Sequence, residues 1–470
     1  MMNLLLISLS LVLASPDSLP AVQKSAHRVR AVKVEEAGSA ALYLLGPEAA
    51  YTQAGITWNG RSEAAPLIKE EGKSRQEGQI CFNTLVRLDS LQAVRGSVRY
   101  TNGVKRDVFL NSSSDFFIVY PYVVADTVGG NVNREEYAFS GGYSACHKRF
   151  YWGAEGSYRA QHEYRMVDPR PRNIVSDLQV SASAGYLVLP GYALDLTLGY
   201  RRYSQSQSVS FMSERGKNSS VFHLTGLGNT FARFTGTTDS YLNTRYSGNG
   251  LSVGLAWAPV KERGWEAGVR YSLLDNTHYL PSLNQVPYTE LYTRNAEVRG
   301  AYLSRRGNWA WKAGFFLKGE WREGLESILD NGSAGYLKVL GRLRQFTSRQ
   351  LSADVYGTLE WKERWRLKGQ VEYVSYHSGY AYPASTFSLS GLAVELEASC
   401  RLQKGHWFFL PALQAGMFQS VPGWKGGASF HAERQLTARM SLYAQASFQY
   451  GLLQGYGPAF RHNITLGICF

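Results

Sequence analysis

From residue 78 to the end of the chain, apolar and polar side chains alternate with a period of two in run after run. In 175–188, Leu178, Val180, Ala182, Ala184, Tyr186 and Val188 fall on one face, and Asp177, Gln179, Ser181, Ser183 and Gly185 on the other. After Pro190-Gly191, Leu194, Leu196, Leu198 and Tyr200 alternate with Asp195, Thr197, Gly199 and Arg201. Successive side chains of a strand point to opposite faces, so these runs predict a hairpin with one apolar and one polar side. The same pattern fills 251–257, 265–273, 365–373 and 440–449.

The runs are about ten to eighteen residues long, against about five or six for a soluble strand and nine to eleven for a tilted membrane-spanning one. Their apolar faces end near turns in Trp257, Trp265, Trp309, Trp365, Tyr186 and Tyr200, where a membrane barrel carries its interfacial aromatics. A water-soluble sandwich has shorter strands and rarely sustains such alternation. The pattern therefore predicts an all-β fold, a transmembrane antiparallel up-and-down barrel.

Connections alternate in length. Short ones fall at 90–91, 146–148, 190–191, 259–263, 305–307, 362–364, 403–405 and 435–437, and longer ones at 103–133, 166–174, 210–238, 280–287 and 326–345. Short turns on the periplasmic side and long loops outside are the outer-membrane arrangement. About seventeen strands follow Gly78, and Ala49–Trp58 adds one before a loop at 60–76. The total is about eighteen strands, with fourteen or sixteen left open by the hairpin boundaries. In hydrocarbon an open sheet edge has no backbone partners, so the last strand must pair with the first.

The ends differ from the middle. Leu4–Leu13 is apolar and Val12-Leu13-Ala14 resembles a cleavage site, so residues 1–14 read as a secretory signal peptide, although no basic residue precedes the apolar stretch. Residues 15–46 include "AGSAALYLL" and read either as a hatch entering the lumen or as a periplasmic lead-in; 47–470 is the barrel. At the other end Ile464, Leu466, Ile468 and Phe470 share one face, with Asn463, Thr465 and Gly467 on the other. This resembles the C-terminal signal by which the barrel-assembly machinery recognises its clients.

Composition supports β structure: 30 Tyr, 21 Phe, 11 Trp and 47 Gly against 15 Pro. The net charge of +13 is scattered through alternating runs, and export argues against nucleic acid as partner. Polar-face Arg201, Arg270, Arg366 and Lys368 would line a lumen and bias it toward anions. Cys81, Cys146, Cys400 and Cys469 have no metal-ligand spacing, and their pairing stays open; the nine His show no HExxH. No cofactor or metal site is expected. A lipase would need Ser, His and an orienter near a strand end. His278 and His377 with Ser272 and Ser375, Asp275 with His278, and Asp168 with His162 are the candidates, and nothing fixes their geometry, so the chain reads as a non-enzyme. In "DPRPRN", Asp168–Asn173, Arg170 and Arg172 could clamp an anion; alternatively Asp168 and Arg170 pair with neighbours where the loop closes the barrel mouth. "GLG" at 226–228 reads as a backbone turn, since no strand–loop–helix unit surrounds it.

Four segments carry a resemblance: Arg75-Gln76-Glu77-Gly78, "DPRPRN", "GYRRY" at Gly199–Tyr203, and "GLG". The chain resembles an uncharacterised family of Bacteroidota outer-membrane β-barrel proteins. The resemblance implies an outer-membrane barrel and supplies no activity. "SAALYLLG" is also loosely similar to the hatch of the hydrophobic-compound transporter family. The functional expectation is a pore or passive transporter for small solutes. The alternatives are a structural barrel docking an envelope or secretion partner, and a hydrophobic-compound transporter. The expected partners are outer-membrane lipid, the assembly machinery and an envelope protein; the expected location is the Gram-negative outer membrane.

Overall fold

The computed structural model describes residues 39–41, 50–189, 191–213, 221–234, 239–259, 263–330, 337–419, 422–437 and 440–470. The expected signal peptide and most of 15–46 lie outside them.

Period-two alternation produces eighteen wall strands. They are β1 (Tyr51–Glu63), β2 (Ser74–Arg87), β3 (Gln92–Val108), β4 (Gly130–His147), β5 (Phe150–Tyr164), β6 (Arg170–Leu189), β7 (Tyr192–Ser210), β8 (Asn243–Pro259) and β9 (Gly264–Leu280). There follow β10 (Val286–Arg306), β11 (Trp309–Leu329), β12 (Val339–Trp361), β13 (Trp365–Tyr380), β14 (Ser385–Cys400, resuming at Leu402–Lys404), β15 (Trp407–Phe418), β16 (Gly423–Gln435), β17 (Ser441–Leu453) and β18 (Gly457–Cys469). Each strand is antiparallel to the next, and β18 returns to β1 in the register Ile56↔Leu466. The amide of Phe470 donates to the Thr52 carbonyl at 2.8 Å, and Thr57 and Thr465 meet through their hydroxyls at 2.9 Å. The sheet is closed, as the backbone of a membrane barrel must be.

All eight connections expected to be short lie where the alternation breaks, at 88–91, 148–149, 190–191, 260–263, 307–308, 362–364, 405–406 and 436–440. Four of the five longer connections are tighter than the sequence suggests, as at 109–129 rather than 103–133 and 330–338 rather than 326–345, whereas 211–242 is longer than the expected 210–238. The wall strands continue pairing beyond the apolar stretch, where polar side chains on both faces erase the alternation.

The wall is sorted by face. Outward-facing Val355 and Leu466 are 63% and 61% exposed, and they belong to a continuous apolar belt far larger than a water-soluble surface carries. On β11 the belt runs from Trp311 to Trp321. Ten residues at about 3.3 Å each, tilted about 40°, span about 25 Å, the height of a membrane barrel's apolar band. The inward positions are mostly polar, and among the described residues the four cysteines form no disulfide.

Candidate functional site

The lumen of an eighteen-stranded barrel is too wide for wall side chains to fill. Here two connections on the long-loop end fold into it. Segment 109–129 contributes a helical turn at Phe116–Val119 and a short strand at Val123–Asp126; segment 211–242 contributes Val221–Gly226 and Asn229–Thr230, and the three strands form a small sheet. This plug is a packed core. Val123, Val124 and Val221 are fully buried, and Phe116, Val119 and Val123 pack on wall residues Val175, Tyr203 and Tyr246. The second segment packs through Phe234 on Leu280, Val286 and Tyr288.

Charge fixes the plug to the wall. Arg159 of β5 forms a fork on Asp115, Nη1 to Oδ1 at 3.0 Å and Nη2 to Oδ2 at 2.6 Å. It also reaches Asp177 of β6 at 3.3 Å, and Arg201 of β7 grips Asp177 bidentately at 2.9 and 2.8 Å. Tyr203 donates its hydroxyl to Asp115 at 3.2 Å. Nearby, Ser114 donates to Glu163 at 2.7 Å, and Lys105 lies 3.3 Å from Glu163 and from Glu71. Arg165 donates to Asp126 at 2.6 Å, both side chains excluded from water. Charged partners this close and this dry hold strongly, because losing one strands the other. The second segment is anchored by His223, whose Nδ1 meets the Tyr288 hydroxyl at 2.7 Å, and by Thr225, which donates to Tyr380 at 3.0 Å. Contacts run round the wall from β3 to β13.

At the short-turn end, Ser39–Ala41 lies against the lumen wall. The Ala41 amide donates to Ser183 Oγ at 2.9 Å, and Ala40 and Ala41 pack with Leu85, Ala93, Tyr151 and Ala193. A side chain at Gly153 would come within 2.7 Å of the Ala41 nitrogen, so glycine makes room for this close approach.

Between plug and short turns lies a polar lumen. One cavity of about 670 Å³ is lined by Arg270, Arg299, Lys312, Arg366 and Lys368 and by Asp195, Glu266, Glu297, Asp354 and Glu397. A second, of about 610 Å³, lies under Phe117 and Ile118 of the plug. Arg270 and Glu297 border both.

The four lumen candidates all face inward, in two groups. Arg201 is committed to Asp177. Arg270, Arg366 and Lys368 form no ion pair with any described residue, while Lys312 is paired to Glu266 at 2.5 Å. Five carboxylates beside five cations qualify the expected anion bias, which now rests on the three unpaired cations alone. In the loop, Asp168 accepts from Arg170 Nε at 2.8 Å and from the Met212 and Ser213 amides at 2.9 and 2.8 Å. These amides and Arg170 hold its carboxyl below the usual range. Arg172 points outward, to His162 at 3.3 Å. Asp168 and Arg170 thus pair with neighbours rather than presenting a clamp.

The quoted motifs meet at the plug. Glu77 binds Arg134 at 2.6 Å, which joins Glu136 and, at 3.6 Å, the plug-binding Glu163. Asn173 of "DPRPRN" donates to the Ser112 carbonyl at 2.8 Å. "GYRRY" supplies Arg201 and Tyr203. Gly226 of "GLG" turns at φ +110° with Pro121 and Phe346 against it, a backbone turn that a side chain would not tolerate. A protein-family model described as a family of unknown function, DUF6850, matches residues 39–422, which include all four motifs. The chain belongs to this family. No curated protein matches this DUF6850 chain. Among solved structures, it is similar to the FrpB iron transporter from Neisseria meningitidis (9% identity, TM-score 0.45, covering 92% of this chain and 83% of that one). It is also similar to the ferric citrate transporter FecA (10%, 0.40, 90% and 79%) and to the siderophore receptor PirA from Pseudomonas aeruginosa (9%, 0.38, 88% and 80%). At such identities the likeness concerns the barrel fold only.

The hydrolase candidates do not assemble. Ser272 and His278 share the lumen face but stand six residues apart along β9, about 20 Å. His278 is buried under Tyr246, ring centroids 3.8 Å apart, and Asp275 projects from the opposite face. His162 stacks on Tyr164 and meets Arg172, while the Asp168 carboxylate is held by Arg170 and the Met212 and Ser213 amides. His377 is outward; its Nδ1 meets Ser388 Oγ at 2.7 Å, and among the described residues no carboxylate orients the ring. The plug itself had a signal in the sequence: the apolar run Phe116–Val124 is out of place in a solvated loop.

Proposed function

We propose that this DUF6850 protein is a gated outer-membrane transport barrel for small polar or charged solutes, closed at rest by its own long loops. The observation that carries this reading is the salt-bridge fastening of 109–129 to the wall, with half-buried Arg159 on Asp115 and water-excluded Arg165 on Asp126. Beneath it, a charged lumen with three unpaired cations suits polar solutes and not hydrophobic ones. An open passive pore has no use for such a fastening. Export through the 1–14 segment, recognition of Ile464–Phe470 by the assembly machinery, and a Bacteroidota-type envelope belong to the same proposal.

Planar-bilayer recording tests it. The full chain should stay near the closed level, and a variant with 110–128 replaced by a short Gly-Ser linker should conduct in steps. Large, steady conductance from the unaltered chain defeats the gating. Silence of the linker variant, correctly folded, defeats transport and favours a structural barrel that docks an envelope partner.

A further inference from the structure

A groove of about 770 Å³ opens on the outside of the barrel near the long-loop end. In register, Arg294 of β10, Trp321 of β11, Arg349 of β12 and His377 of β13 stand in one row across four strands. One step toward the loops come Tyr292, Glu323 and Thr347; toward the bilayer the wall turns apolar at Leu317, Val298 and Leu351. The row therefore sits at the outer edge of the apolar band, where Trp321 marks the interface.

The two arginines are exposed and form no hydrogen bond or ion pair with any described residue, whereas Arg344 beside them is matched to Glu323 at 3.1 Å. Two strand spacings separate their Cα atoms, about 10 Å, so both guanidinium groups can reach one anion. Guanidinium forks match phosphate oxygens bidentately and hold them better than lysine does. Tyr271, Tyr292 and Trp321 add flat apolar faces to the same groove. A phospholipid headgroup would use the arginines and leave the rings idle; a phosphorylated sugar uses both.

We propose that this groove binds the phosphorylated sugar headgroup of an outer-leaflet glycolipid, with Arg294 and Arg349 on the phosphate and Trp321 and Tyr292 against the ring. The proposal rests on the membrane reading of the barrel and not on transport. The test uses the full chain in nanodiscs, with native mass spectrometry after detergent release and heat-modifiable gel mobility to report folding. The probes are lipid A (an acylated disaccharide carrying two phosphates), its dephosphorylated form and phosphatidylglycerol. The unaltered protein should retain lipid A, and an Arg294→Gln/Arg349→Gln variant of normal mobility should lose at least tenfold in occupancy; dephosphorylated lipid should be retained no better than by that variant. Equal retention by the variant, or of the dephosphorylated lipid, overturns the proposal. Preference for phosphatidylglycerol over lipid A overturns the sugar headgroup in favour of a phospholipid one. A protein that never enters nanodiscs refutes the membrane reading; one that enters and releases every lipid refutes only this site.

Discussion

Arg159 fastens the plug to the wall. Its planar fork meets both oxygens of Asp115, and it also touches Asp177, so one side chain joins plug to wall. Arg159→Ala leaves the half-buried Asp115 carboxylate without its cation, at a cost of up to about 3 kcal/mol of docking free energy. Limited proteolysis should cut 109–129 at least tenfold faster in that variant, and Arg159→Lys, which keeps charge but loses the fork, should fall between. Cleavage unchanged in Arg159→Ala would remove this residue from the fastening. His223 supplies a pH dependence. It is buried in the second plug segment, and burial pushes its pKa down to about 4 from an ordinary 6.5. Above 6.5 the ring is neutral whether docked or free, so its contribution to docking is complete. As pH falls from 6.5 toward 4 only the undocked segment takes up the proton, and docking weakens by up to about 1.4 kcal/mol per pH unit. Cleavage within 221–234 should rise several-fold between pH 7.5 and pH 5 and rise much less in His223→Gln; equal acid responses would assign the effect to another group. Neither residue was legible as a fastener. Asp115 follows a serine run and looks solvated, and Arg159 is one of many charges on a polar face, because a partner distant in sequence leaves no local pattern.

At the scale of the strand, legibility was high, and the reason is physical. A wall between lipid and water imposes one polarity on each face, so a one-residue slip would turn every side chain the wrong way. Each of the eight short turns interrupts that alternation, and the strand count followed from them. The inward loops escaped because their apolar residues, Phe116 to Val124, serve a local core with no period to read. Facing also sets what a strand tolerates. Leu317 projects outward near the middle of the Trp311–Trp321 span, while its neighbour Lys318 faces the lumen, 3.9 Å from Glu297. Leu317→Arg should lower unfolding free energy in lipid by about 2–4 kcal/mol, whereas Lys318→Gln should change it by less than about 1 kcal/mol. Denaturant titration from liposomes separates them, and similar losses for the two would mean that this face does not meet hydrocarbon.

For the molecule as a whole, the question is what the charges select. The chain carries +13, yet the main lumen cavity balances five cations against five carboxylates, so net charge does not decide the field a solute meets. Pairing does. Lys312 is neutralised by Glu266, while Arg270, Arg366 and Lys368 have no carboxylate within ion-pair distance among the described residues. Arg270 also borders the cavity beneath the plug. With 110–128 replaced by the linker, the opened barrel should therefore prefer anions modestly. In that background Arg270→Gln/Arg366→Gln/Lys368→Gln leaves the five carboxylates facing only Arg299 and Lys312, and the preference should reverse toward cations. The reversal potential across a tenfold KCl gradient reads the sign directly: it should change sign between the opened parent and the triple variant, with the shift shrinking at high salt as screening shortens the reach of each charge. An identical reversal potential in both would show that permeating ions avoid this cavity and follow the side of the lumen lined by β15 to β18.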